Sequence, residues 1–301
     1  VWELFALVRS SRQRLVMPQS RPRVVVLALG ERPQIASEAL RLKPLVEQAA
    51  DVVLFDLEFK SDLSQVEADF AIVMGGDGSI LRAAHQMGYH QLPILGVNLG
   101  KLGFLADLSP NELLGVLPHV CQGFYRVSEH LMFECCVLRG GKPLHQMLGL
   151  NEVCILAGRP FSILDVNLYV DAELVTTYSC DGLIVATPIG STAHSLSSGG
   201  PILRKDLQAF VFLPISPHTL TNRPVVDSAE RVFELAVSEP HAGTAVVVDG
   251  VELCGLEVDD RVRVERAAPT FKLVEVPGRS YYRTLREKLG WGGRLRQDEK
   301  R

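Results

Sequence analysis

The sequence lacks any apolar run near the roughly 18 residues that a helix needs to cross a bilayer. Stretches such as Phe70-Ala71-Ile72-Val73-Met74 are strand-sized. It also lacks the composition of a disordered chain. Of 301 residues, 47% are hydrophobic and 22% charged, the balance of a globular protein with a sizeable core. Cysteine is scarce and unpatterned: Cys121, Cys135, Cys136, Cys154, Cys180 and Cys254 form no C-x-x-C pair and no zinc-type spacing with His. They read as buried free thiols of a cytoplasmic protein. Positive charge is not in excess either. Lys and Arg total 31 against 35 Asp and Glu, a net charge of −4. The ends are basic, with five Arg and one Glu in 1–23 and seven basic against three acidic residues in 283–301, so 24–282 carries −12. Such a body repels a phosphate backbone, which argues against nucleic acid as a partner, as the missing span argues against a membrane. A phosphorylated ligand must then be gripped by local geometry.

What is present divides the chain in two, as its length favours. Residues 1–22 are Arg-rich after a short apolar start and lack a secretory cleavage site; they read as a disordered extension or an over-long reading frame. Residues 23–125 alternate strands (23–30, 51–55, 69–74, 93–97) with helices (34–49 and one opened by the capping box Ser109-Pro110-Asn111-Glu112). That alternation predicts an α/β domain around a parallel sheet. Residues 126–279 change rhythm. Short strands are expected at 130–139, 143–156, 162–170, 173–179, 182–187, 208–213, 231–237, 244–249, 256–266 and 270–276, with one short helix after Thr187-Pro188. The fold class is α/β plus a larger β-sandwich-like domain. Residues 280–301 read as a helix and basic tail packing back on the α/β part.

Two segments carry chemistry. The strand ending at Met74 runs into Gly75-Gly76-Asp77-Gly78-Ser79 and then a helix. Glycines let backbone approach a phosphate, and their N–H groups with the helix start form an anion cradle. Gly75, Gly76, Gly78 and Ser79 are therefore phosphate-binding candidates. Asp77 can accept a proton from a hydroxyl nucleophile or orient a metal ion. An ordinary glycine-rich turn is the plain alternative; no Gly-Lys-Ser/Thr follows, and Leu81 stands where a dinucleotide fingerprint has its third Gly, so the chemistry suggested is phosphoryl transfer without either common loop. The second segment, Asp181 to Ile202, sets hydroxyls between two glycine clusters. Ser191 or Thr192 can cap a short helix there, and a turn-rich linker is the plain alternative. His194 can stack on or bond a base, or be a loop residue. Asn151-Glu152 interrupts an apolar strand, so one of the pair must enter the interior or a pocket; both suit ribose hydroxyls or an adenine edge.

Together these residues resemble the NAD kinases. The likeness extends through Asn98-Leu99-Gly100-Lys101-Leu102-Gly103-Phe104-Leu105, Leu150-Asn151-Glu152, Thr187-Pro188-Ile189-Gly190-Ser191-Thr192-Ala193, Pro214 to His218, Asn222-Arg223-Pro224 and Leu285 to Trp291. It implies transfer of the γ-phosphoryl of ATP, or of polyphosphate, to the adenosine-ribose 2′-hydroxyl of NAD, with Mg²⁺ or another divalent metal bound mainly through phosphates. It implies a site between the two domains and a homodimer or homotetramer. Asp77 matches the catalytic aspartate. NAD contacts are implied for Asp77, Gly78, Phe104, Asn151, Glu152, Asp181, Thr192, Ala193, His194, Ser195, Leu196 and Ser197. Ile189, His194, Ser179 and Val251 depart from the usual Thr, Tyr, Arg and Gln. The competing expectations are a lipid or sugar kinase built on the same turn, and a non-catalytic dinucleotide sensor.

Overall fold

The computed structural model describes residues 21–100, 103–158, 163–219, 222–278 and 280–291. The first 20 residues, Lys101 and Leu102 of the second family motif, and the basic tail beyond 291 lie outside them. The chain divides into two compact units, one holding the residues up to Ser128 and from Lys272 onward, the other Glu129–Phe271.

The first unit runs β1 (Arg23–Ala28), α1 (Pro33–Ala49), β2 (Asp51–Asp56), β3 (Phe70–Gly75), α2 (Asp77–Met87), β4 (Ile94–Asn98), α3 (Pro110–Cys121) and β5 (Arg126–His130). β3 and β4 are buried at every position and β1 at all but its first, as central strands covered on both faces must be. The sheet order is β2-β1-β3-β4, with every one of these pairs parallel. α1 begins with Pro33 in its first turn and turns Ile35, Ala39, Leu42 and Val46 inward, where they meet Leu113, Leu117 and Val120 of α3. The expected capping box is formed: the Glu112 N–H donates to Ser109 Oγ (3.3 Å) while the Ser109 N–H donates to Glu112 Oε2 (2.8 Å). Strand order reverses between β1 and β3, and open α/β sheets take ligands at the carboxyl ends of strands at that switch point. The glycine turn after β3 lies there.

The second unit follows as β6 (Phe133–Arg139), β7 (Lys142–Gly149), β8 (Glu152–Leu156), β9 (Leu164–Val170), β10 (Glu173–Cys180), β11 (Gly182–Ala186), a 3₁₀ turn (Gly190–Thr192), α4 (His194–Ser197), β12 (Ala209–Ile215), β13 (Val225–Ser228), β14 (Phe233–Val237), β15 (Ala245–Val248), β16 (Val251–Gly255) and β17 (Arg261–Arg266). Among the described residues they form two six-stranded antiparallel sheets, β10-β9-β14-β17-β6-β7 and β13-β12-β11-β8-β15-β16. Inward residues of both build one core around Phe133, Phe210, Phe212 and Phe233. The Phe212 and Phe233 rings lie 4.6 Å apart, and each buried ring contributes about 1.5–3 kcal/mol of transfer free energy.

Several boundaries differ from the sequence reading, and β13 falls where no strand was expected. The run 143–156 is two strands, β7 in one sheet and β8 in the other, broken at Leu150-Asn151. The run 256–266 narrows to β17, with β16 placed before it. The strand expected at 270–276 is β18 (Phe271–Glu275), but it joins the first unit, parallel to β4 through Leu273 opposite Ile94. A strand's apolar pattern shows that it is buried, not which sheet receives it. The chain then ends its described course in α5 (Tyr281–Leu289), also in the first unit.

Candidate active site

In the first unit β3 delivers Gly75 with φ of 154°, and the chain turns directly into α2 with Asp77 at its first position. A Cβ on Gly75 would collide with the Ser79 side chain, so glycine is required for this turn. Ser79, expected to bind phosphate, is buried, and its N–H donates to Gly76 O (2.9 Å). Gly76 and Gly78 face open space, and Gly78 is exposed at the positive end of the helix.

Asp77 does not cap its own helix. Its carboxylate reaches the loop after β4 and accepts three successive backbone N–H groups, from Phe104 on Oδ2 (2.7 Å) and from Leu105 and Ala106 on Oδ1 (2.9 and 3.0 Å). Gly103 leaves the room for this, since a Cβ there would run into Asp77 Oδ1. Asn98 stitches the same loop, its amide donating to Ala106 O (3.2 Å) and accepting the Gly100 N–H (2.7 Å). The N–H groups that hold Asp77 thus come from the Phe104–Ala106 backbone; of these residues the sequence reading singles out Phe104 as an implied NAD contact.

The second unit repeats the device. Asp249 sits at the turn between β15 and β16 with φ of 48°, ahead of Gly250 at 82°, the positive angles of a tight two-residue hairpin. Its carboxylate accepts the N–H groups of Leu150 (2.7 Å), Asn151 (2.7 Å) and Glu152 (3.0 Å). On the other side the Asn151 carbonyl accepts the Thr187 N–H (2.9 Å), and Thr187 Oγ1 donates to Leu150 O (2.6 Å). Gly190 lies so close that a Cβ would strike the Asn151 backbone. These contacts break the expected long strand and send β8 into the second sheet.

Glu152 is the member of the polar pair that goes inside. It is buried, and Oε2 has no hydrogen-bond partner among the described residues. Burial and then the neighbouring Asp249 charge push its carboxyl up to about 8, while the His194 backbone N–H acts in the opposite direction. A buried acceptor without a partner costs about 1–3 kcal/mol. Two residues along β8 on the same face, the Cys154 thiol lies 3.6 Å from His194 Nδ1. Burial raises that thiol far above its ordinary range.

The hydroxyl belt is more structural than its composition implied. Ser191 neither caps nor faces solvent: buried, it donates to Pro188 O (2.6 Å) and accepts the Leu203 N–H (2.9 Å). Thr192 donates back to Ile189 O (3.0 Å). Ser195 differs, with a fully buried hydroxyl that has no partner among the described residues. His194 and Ser197 are exposed, while Ala193 and Leu196 are half-buried. Asp181 stands 3.6 Å from His218 Nε2, both half in solvent. Among the described residues no group of three or more His, Cys, Asp or Glu is placed to hold a metal ion. Asp249, which holds the Leu150–Glu152 loop, was not singled out from the sequence. Asp-Gly between two apolar runs signals a hairpin, but its partners lie almost a hundred residues away.

Comparison with known proteins identifies the family. Residues 16–125 match the ATP-NAD kinase N-terminal domain and residues 150–276 the ATP-NAD kinase C-terminal domain. The chain is 55% identical over 274 residues to an NAD kinase of Rhodopirellula baltica, covering 91% of this chain and 88% of that one. It is 38% identical over 254 residues to an NAD kinase of Geotalea daltonii, covering 84% and 89%. An NAD kinase from Archaeoglobus fulgidus, solved in complex with ATP, aligns with a TM-score of 0.72 at 28% identity, over 90% of this chain and all of that one. Yeast NADH kinase complexed with NADH shares the fold, with a TM-score of 0.79 at 21% identity over 93% and 91%. The chain belongs to the NAD kinase family.

Proposed function

We propose that, in moving the γ-phosphoryl of ATP to the adenosine-ribose 2′-hydroxyl of NAD, this chain uses Asp77 as the group that receives the hydroxyl proton. The new O–P bond forms as the bond to the β-phosphate bridging oxygen breaks, and ADP leaves. The observation that carries this reading is the Asp77 carboxylate, held at the glycine turn by three backbone N–H groups. Phosphoryl transfer passes through a loose transition state in which the proton moves late, so a well-placed carboxylate serves although its bulk basicity is low. Alignment contributes most of the rate.

The Gly76–Gly78 turn would receive donor phosphates at the head of α2. Asn151 and Glu152 would take ribose hydroxyls or an adenine edge, a ligand hydroxyl satisfying the bare Glu152 Oε2. Asp181 and the stretch Thr192–Ser197 would line the adenosine half, and Phe104 a wall. The three N–H donors already crowd Asp77, and no carboxylate cluster stands nearby among the described residues. That donor set fits a Mg²⁺ carried chiefly by the phosphates. Bound there, the metal would neutralise phosphate charge. Polyphosphate as a second donor, a homodimer or homotetramer, and a cytoplasmic location complete the reading.

The test is incubation of the pure protein with NAD, ATP and Mg²⁺ and detection of NADP by a dehydrogenase specific for it. NADP formation is expected. Turnover of a lipid or sugar hydroxyl instead, or tight NAD binding without turnover, would overturn the reading.

A further inference from the structure

The Asp77 carboxylate is gripped unevenly. Oδ1 accepts two N–H groups, but Oδ2 accepts only that of Phe104, at 2.7 Å, among the described residues. The Phe104 peptide therefore helps to hold the plane of the carboxylate. The Phe104 side chain is half-buried, and its ring face meets the ammonium of Lys288, whose Nζ lies 4.4 Å from the ring centroid. Among the described residues no carboxylate pairs with Lys288, although α5 also carries an Arg283–Glu287 pair at 2.7 Å. The helix that presents Lys288 is itself fixed. Thr284 and Leu285 are buried, and Gly290, with φ of 64°, closes the helix by donating its N–H to Arg286 O. Lys288 stands in the last turn, where a cation is favoured by the helix dipole.

We propose that Lys288 is a positioning residue for the reaction: through the Phe104 ring it holds the loop whose N–H groups orient Asp77. The assignment rests on the reading of Asp77 as the proton acceptor. The attraction is between a cation and the negative face of the ring, so charge matters and side-chain length alone does not suffice. Arg preserves it and Met, of similar shape, does not.

The experiment compares Lys288→Met, Lys288→Arg, Phe104→Leu and the Lys288→Met/Phe104→Leu double variant. An exposed cation–π contact supports a loss of about two- to fivefold in kcat for Lys288→Met. Lys288→Arg is expected to restore kcat, and Lys288→Met to cost nothing further once Phe104 is Leu. Backbone hydrogen exchange across Gly103–Ala106 should quicken in Lys288→Met and not in Lys288→Arg, a readout independent of turnover. Wild-type kcat in Lys288→Met, multiplicative losses in the double variant, or unchanged exchange would each overturn the proposal. Failure of the wild-type chain to make NADP would overturn the reading of Asp77, while the exchange data would still decide whether Lys288 holds the loop.

Discussion

Asp77 and Asp249 do the same thing in different units, and the contrast between them is instructive. Each gathers three successive backbone N–H groups from a distant loop, Phe104–Ala106 for one and Leu150–Glu152 for the other. Hydrogen bonds to a charged group contribute about 1.5–3 kcal/mol each, enough to fix either loop. What differs is the neighbourhood. Asp77, itself half-buried, heads a helix beside an exposed glycine. Asp249 lies beside a buried carboxyl, and its charge helps keep a proton on Glu152. On the proposed reading the first aspartate acts on the substrate, while the second shapes the loop that carries Asn151 and Glu152.

Exchanging carboxylate for amide breaks the comparison at each point. The largest effect is expected for Asp77→Asn, a fall in kcat of about 10²–10⁴, the usual weight of a positioned acid–base group. Its fold should persist by circular dichroism, because Asn still accepts part of the N–H set. Near-normal NADP formation in this variant would remove Asp77 as the proton acceptor.

Asp249→Asn keeps a residue tolerant of positive φ but removes the charge. We expect a lower Tm, weaker NAD binding by calorimetry, and a Glu152 carboxyl that titrates closer to its ordinary range. Unchanged NAD affinity would show that the Leu150–Glu152 loop holds its shape without Asp249.

The smallest and most diagnostic effect concerns pH. The Glu152 carboxyl is raised from 4.5 to about 8, so between those values the folded state keeps a proton that the unfolded chain has lost. Its contribution to stability is full below pH about 4.5 and disappears as pH rises through about 8. Glu152→Gln should flatten the decline of Tm across that window and gain most on wild type at its alkaline end. Parallel Tm curves for the two proteins would place the raised carboxyl elsewhere.

Much of this was legible beforehand. The glycine turn after a buried strand, the capping box at Ser109, and Asn151-Glu152 inside an apolar run each carry a local signature, because backbone angles, caps and periodicity act over a few residues. Ser191 read as a helix cap, but its hydroxyl donates to Pro188 O and accepts the N–H of Leu203, twelve residues further on, a partner that no local pattern announces. The sheet that receives β18, the break at Leu150, and the partners of Asp249 and Lys288 had no such signature.

The sequence by itself determined that the chain crosses no bilayer by a long apolar helix, that an acidic body must meet phosphate through local groups, and which residue types were available to do so. Tertiary structure alone decided who serves whom. Asp77 takes its N–H donors from residues 27–29 positions further on, Asp249 from residues 97–99 positions before it. A carboxylate attracts any backbone N–H within reach, and only the packed sheets determine which ones are.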